Sequence, residues 1–163
     1  MIFGMSEGLY TALHVIVALV GIGTGVVVAL GLIKGKILNG WTGAFLVTTI
    51  LTSVSGFGFP AHQLLPSHIL GILSLASLTV AVVGRYRFQL RNGWRTAYIV
   101  SALVALYFNV FVAVVQAFLK TPALHALAPT QKEPPFAAAQ LAVLLTFVAI
   151  GFVSVRRRRA LPA

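Results

Sequence analysis

Apolar residues run almost without interruption through five stretches of this chain, 8–33, 41–57, 67–84, 94–119 and 136–155, and the polar and breaking residues gather between them. At a rise of 1.5 Å per residue, runs of this length cross about 30 Å of hydrocarbon. The second and third are short and draw length from their flanks. Barrel strands would alternate lipid-facing and lumen-facing residues over about ten positions, a pattern absent here. The pattern predicts an all-α integral membrane protein of five transmembrane helices, a single membrane domain over 1–163.

The first four runs pair into two similar halves. His14 and His68 each stand near the start of an apolar run that leads to Asn-Gly-Trp, at Asn39-Gly40-Trp41 and at Asn92-Gly93-Trp94. A duplicated two-helix unit accounts for this, with hairpins over 8–57 and 67–119 and a fifth helix over 136–155. The expected core is a four-helix bundle with pseudo-twofold symmetry, in which the two histidines occupy equivalent depths.

Charge sets the expected orientation. Lys34, Lys36, Arg85, Arg87, Arg91, Arg95 and Arg156 to Arg159 share one set of helix ends, whereas the other set carries Lys120, Lys132 and both acids, Glu7 and Glu133. The basic side is expected to be cytoplasmic, giving N-terminus out and C-terminus in, a multi-pass protein of the cytoplasmic (inner) membrane. The first apolar run is too long for a signal-peptide core and should remain as helix one. Although the formal charge is +10, the basic residues flank spans and form no soluble domain. Membrane lipids with anionic headgroups, not nucleic acid, are the expected counter-charge.

Composition narrows the chemistry. Hydrophobic residues make up 59% and charged residues 9% of the chain, a balance that no water-facing surface of this size sustains. With no cysteine, disulfides, thiolate metal sites, iron–sulfur clusters and covalently attached haem are excluded. No mid-membrane acid or base of the kind used by ion pumps is present, and no lysine is buried for a retinal Schiff base. Gly21-Ile22-Gly23-Thr24-Gly25 lies inside a span, so it reads as helix packing and not as a phosphate loop. Nothing decides whether the chain is an enzyme, and its oligomeric state is not legible.

Six of the seven prolines, Pro60, Pro66, Pro122, Pro129, Pro134 and Pro135, lie at or beyond the outer helix ends. The outer segment 121–135 also carries leucines and alanines, and is expected to fold over the bundle as a lid or to lie on the headgroups.

Polar side chains within the spans concentrate in the outer half: His14, His68, Asn109, Gln116 and Gln140, with Lys120 at the rim. Gly21 and Gly25 should turn His14 inward by close helix packing. The hydroxyls of Thr48, Thr49, Thr52, Ser53 and Ser55 are assigned to packing, because each can bond the carbonyl four residues back. In the expected bundle the first and third helices stand about 12–14 Å apart across a diagonal, a gap in which His14 and His68 could ligate a non-covalent b-type haem. Lys120, Gln116 and Gln63 would serve its propionates. The general plan is similar to that of small membrane b-type cytochromes, in architecture alone. Copper or zinc on His14, His68, His62 and His125 is a related possibility.

The expected function is therefore a small redox-cofactor or metal-binding membrane protein passing electrons to a redox partner. A quinone- or lipid-binding protein using His14, Asn109, Gln116 or Gln140 is the alternative of a different class, and a cofactor-free accessory subunit of a membrane complex is the third.

Overall fold

The computed structural model describes residues 4–60 and 66–158. Among these the chain is all-helical. Helix α1 (Glu7–Ile33) opens at Ser6, whose Oγ accepts the Leu9 N–H at 3.3 Å, and places Glu7 at the positive end of the helix dipole. It closes through Gly35 in the left-handed region, with the Gly35 N–H donating to Leu32 O and the Lys36 N–H to Gly31 O, each at 2.9 Å. The chain can therefore reverse within a few residues into α2 (Asn39–Gly56).

Helix α3 (Pro66–Val82) runs into a π-helical turn, Val83–Arg87, and α4 (Trp94–Lys120) follows after a short loop. The segment 121–135 holds a short helix, α5 (Pro122–Leu127), started by a proline at its first position. The last helix of the described residues is α6 (Pro134–Arg158).

Four of these helices are long and apolar enough to cross a membrane: Glu7–Ile33, Ser67–Arg87, Trp94–Lys120 and Pro134–Arg157. The expected fifth span, 41–57, is helical as α2 but does not belong to this group. Its 18 residues begin with Asn39-Gly40 and carry a series of hydroxyls.

Packing forms a ring in which α1 lies along α2, α2 along α3, α3 along α4, and α4 returns to α1; α6 lies outside it, against α4 and α1. Lipid tails are as apolar as leucine, so close packing and interhelical hydrogen bonds must hold such helices together. Both occur where α2 and α4 meet through the middle of the ring. Tyr98 and Phe45 are fully buried there, and the Tyr98 hydroxyl donates to Thr42 Oγ1 at 3.3 Å. Gly25 of α1 closes the junction: a methyl group on it would run into Leu106 and lie 2.9 Å from the Phe45 ring. Leu19, Val47, Leu145 and Phe152, each more than half exposed, belong to the outward apolar surface expected to face hydrocarbon.

Candidate functional site

The first hairpin builds a polar seam between α1 and α2. Because the helices are antiparallel, each step inward on α1 meets a step backward on α2, and His14 comes level with Ser55. Its Nδ1 lies 2.8 Å from Ser55 Oγ, and Tyr10, one turn nearer the helix start, donates its hydroxyl to the Ser55 carbonyl at 2.7 Å. Phe59 stands edge-on to both rings, with centroids 5.2 Å from His14 and 5.0 Å from Tyr10. The imidazole is thus fixed on its Nδ1 side and along one face.

Ser55 has one hydroxyl proton and two acceptors, the Thr52 carbonyl at 3.2 Å and His14 Nδ1. When that proton goes to Thr52, Nδ1 must be the donor and Nε2 keeps its lone pair. When the hydroxyl turns to Nδ1, Nε2 carries the proton instead. Nε2 has no hydrogen-bond partner among the described residues, so the imidazole can present either a donor or an acceptor there without moving its ring.

Two turns deeper, the same seam holds a second polar group. A methyl group on Gly21 would lie 3.3 Å from Thr48 Oγ1, 3.4 Å from Thr49 Oγ1 and 3.5 Å from Asn109 Nδ2. Thr48 is satisfied by the Ala44 carbonyl at 2.7 Å, but Thr49 Oγ1 and Asn109 Nδ2 are buried and have no partner among the described residues. Buried polar atoms of this kind are costly unless they are bonded. The missing side chain of Gly21 is what brings them within reach of one small polar atom.

The other expected site residues do not join this seam. His68 lies near the start of α3, its ring stacked on Phe57 with centroids 5.5 Å apart. The two imidazoles lie against different aromatic side chains, Phe59 and Phe57. Gln140 is a clamp between α6 and α4, its Nε2 donating to the Phe111 carbonyl at 3.2 Å. Gln116, Lys120 and His125 are exposed. His62 and Gln63 lie outside the described residues. Among those described, no three His, Cys, Asp or Glu side chains gather as a metal site.

Of the five hydroxyls assigned to packing, Thr48 and Thr52 bond the carbonyl four residues back, as Thr24 of α1 also does. The other three depart from that pattern: Ser55 orients His14, Ser53 donates to Ser74 of α3 at 3.1 Å, and Thr49 Oγ1 has no partner among the described residues. Tyr10 and Phe59 were not among the expected site residues either. The signal for Ser55 was available in the antiparallel register, which pairs position 14 with position 55 once the turn is placed.

The segment 121–135 folds back on α4. Ala128 is fully buried, Gln131 Nε2 donates to the Val115 carbonyl at 2.9 Å, and Phe118 meets Phe136 edge-on at 5.3 Å. Glu133 ties the turn into α6. Desolvation pushes its pKa upward, but hydrogen bonds from its own N–H, from the Thr130 hydroxyl and N–H and from the Lys132 N–H prevail and hold the carboxyl below the usual range.

These features define a multi-pass helical membrane protein with a polar seam at one end of an otherwise apolar ring. Comparison with protein-family models, curated proteins and solved structures finds no match for this chain.

Proposed function

We propose that this protein binds a quinone in the membrane, at the end of the seam between α1 and α2, with His14 as the contact to a ring oxygen. In this reading α2 crosses the bilayer as the fifth span, the two hairpins are copies of one unit, the N-terminus faces outward, and the protein resides in the cytoplasmic membrane.

One observation carries the proposal: His14 is held from one side by Ser55 and Phe59, while Nε2 is left without a partner among the described residues. A quinone carbonyl needs a donor and a quinol hydroxyl an acceptor. Rotation of the Ser55 hydroxyl between Thr52 and Nδ1 supplies both from the same nitrogen. Asn109 and Thr49, deeper in the seam, add polar atoms with unused hydrogen-bonding capacity.

A second reading, ligation of a b-type haem or of copper or zinc by His14, rests on the same bond to Ser55, because metal-bound histidines are commonly oriented through their other nitrogen. The Phe57 stack covers a face of the His68 ring and not the in-plane nitrogens through which a metal would bind.

Protein purified in mild detergent separates the readings through its absorption spectrum, its metal content and chromatography of its organic extract. Quinone should co-purify near one per chain, be lost in His14→Phe, and bind about tenfold more weakly in Ser55→Ala, the loss expected for one hydrogen bond. Quinone-free protein, or retention unchanged in His14→Phe, would overturn the proposal. A Soret band lost with His14 would replace it by haem, and colourless protein without metal or quinone would leave an accessory subunit.

A further inference from the structure

The opposite end of the bundle carries a basic cleft with no acidic side chain beside it among the described residues. Where the π-helical turn Val83–Arg87 meets α4, a cleft of about 530 Å³ is lined by Arg87, Phe88, Gln89, Arg91, Asn92 and Trp94. Its shape comes from unusual backbone. The Phe88 N–H reaches back to Val83 O at 3.1 Å and the Leu90 N–H to Gly84 O at 3.0 Å, and Gln89, Leu90 and Asn92 all stand in the left-handed region at φ +50°, +60° and +51°. Phe88 and Trp94 stack face to face at 4.1 Å and give the cleft an apolar wall.

The arginines here divide by role. Arg85 is held by Asn39 Oδ1 and Arg95 by the Gly35 carbonyl, each at 2.8 Å, so both tie the second hairpin to the turn of the first. Arg87 and Arg91 are exposed and line the cleft. The chain has two acidic residues, and both stand at the other set of helix ends: Glu7 starts α1 and Glu133 precedes α6. Among the described residues, neither acidic side chain stands at the cleft.

From this geometry we infer that the cleft binds the phosphate of an anionic phospholipid headgroup, with Arg87 and Arg91 on the phosphate and the Phe88–Trp94 pair against the glycerol and upper acyl chain. The ligand chemistry follows from position as well as charge. The cleft caps the ends of two helices long enough to cross the bilayer, the depth at which lipid phosphates lie, and stacked aromatic rings belong to the same interfacial layer. Guanidinium forks match phosphate oxygens bidentately. The tail arginines Arg156 and Arg157 are equally basic and exposed but are not part of this cleft's lining, with Arg156 lying over Phe152 at 4.1 Å. They provide the control.

The test is native mass spectrometry of the delipidated full chain titrated with phosphatidylglycerol, with phosphatidylcholine, and with phosphatidylglycerol in the presence of millimolar inorganic phosphate. Phosphatidylglycerol should bind in preference to phosphatidylcholine. Its affinity should fall about thirtyfold in R87Q/R91Q, from the usual effect of two basic side chains near anionic headgroups, and severalfold at most in R156Q/R157Q. Equal losses in the two double variants would reduce the effect to diffuse charge and overturn the site. Equal binding of the two lipids would overturn it as well. Displacement by inorganic phosphate would show a free-anion site and sink the assignment to lipid. All four arginines are exposed, and circular dichroism of both variants verifies the fold.

Discussion

The two hairpins carry the same Asn-Gly-Trp signature and close in different ways. In the first, Gly35 takes the left-handed position, α1 ends in a compact cap, and Asn39 is already the first residue of α2. The second has no glycine at the corresponding place. It widens into a π-helical turn, puts three non-glycine residues in the left-handed region, and leaves Asn92 outside α4. Like short sequences thus give a closed turn in one half and an open, basic cleft in the other. At the far ends the contrast reverses: His14 is tied to Ser55 on its partner helix, whereas His68 stacks on Phe57. The lesson is that a shared spacing sets which elements meet, while single residues in the turn and at the facing position decide what each meeting can do.

The largest expected effect comes from filling the glycine contacts between helices. Gly25→Val should destabilise the protein by about 2–3 kcal/mol, since the side chain would be driven into Leu106 and the buried Phe45 ring. Gly71→Ala, on α3, places its methyl 3.1 Å from the tip of Phe57 beside the end of α2, a ring that is 41% exposed. It should cost less than about 1 kcal/mol. Unfolding in mixed micelles measures both, and equal losses would show that the seam between the hairpins is packed as tightly as the middle of the ring.

Next in size is the first turn itself. Gly35→Ala forces an alanine to φ +72°, and the left-handed penalty, less the entropy lost by the unfolded chain, should amount to about 1 kcal/mol. A variant as stable as the parent would mean that the Gly35 cap does not hold the closed turn.

The helices were legible because their apolar runs are long: four of the five segments lie within a few residues of α1, α3, α4 and α6. The segment at 41–57 also became a helix, but its hydroxyls reduce its hydropathy, and those same hydroxyls supply the seam. Less could be read of the site, because a helical face determines direction but not partner. His14 was expected inside the bundle, and it faces α2 through Ser55, a serine assigned in advance to packing alone. His68 was paired with it by analogy between the hairpins. The structure shows His68 stacked on Phe57 at the end of α2, a contact that the analogy did not contain. The π-helical turn and α5 left no periodic signal, since each is one or two turns long and set by backbone bonds that no side-chain pattern records.

The smallest effect should be the most discriminating for the second turn. Gln89 is exposed and carries left-handed backbone at φ +50°, so Gln89→Gly should relieve that cost and stabilise the fold by a few tenths to about 1 kcal/mol. Asn92→Gly should change stability by less than about 0.5 kcal/mol, because asparagine tolerates this region through local hydrogen bonding. If the strained backbone shapes the cleft, Gln89→Gly gains stability while binding phosphatidylglycerol severalfold more weakly, since a relaxed loop no longer holds Arg87 and Arg91 on one phosphate. Stability and affinity rising together would separate strain from binding, and the second turn would then be only a less economical version of the first.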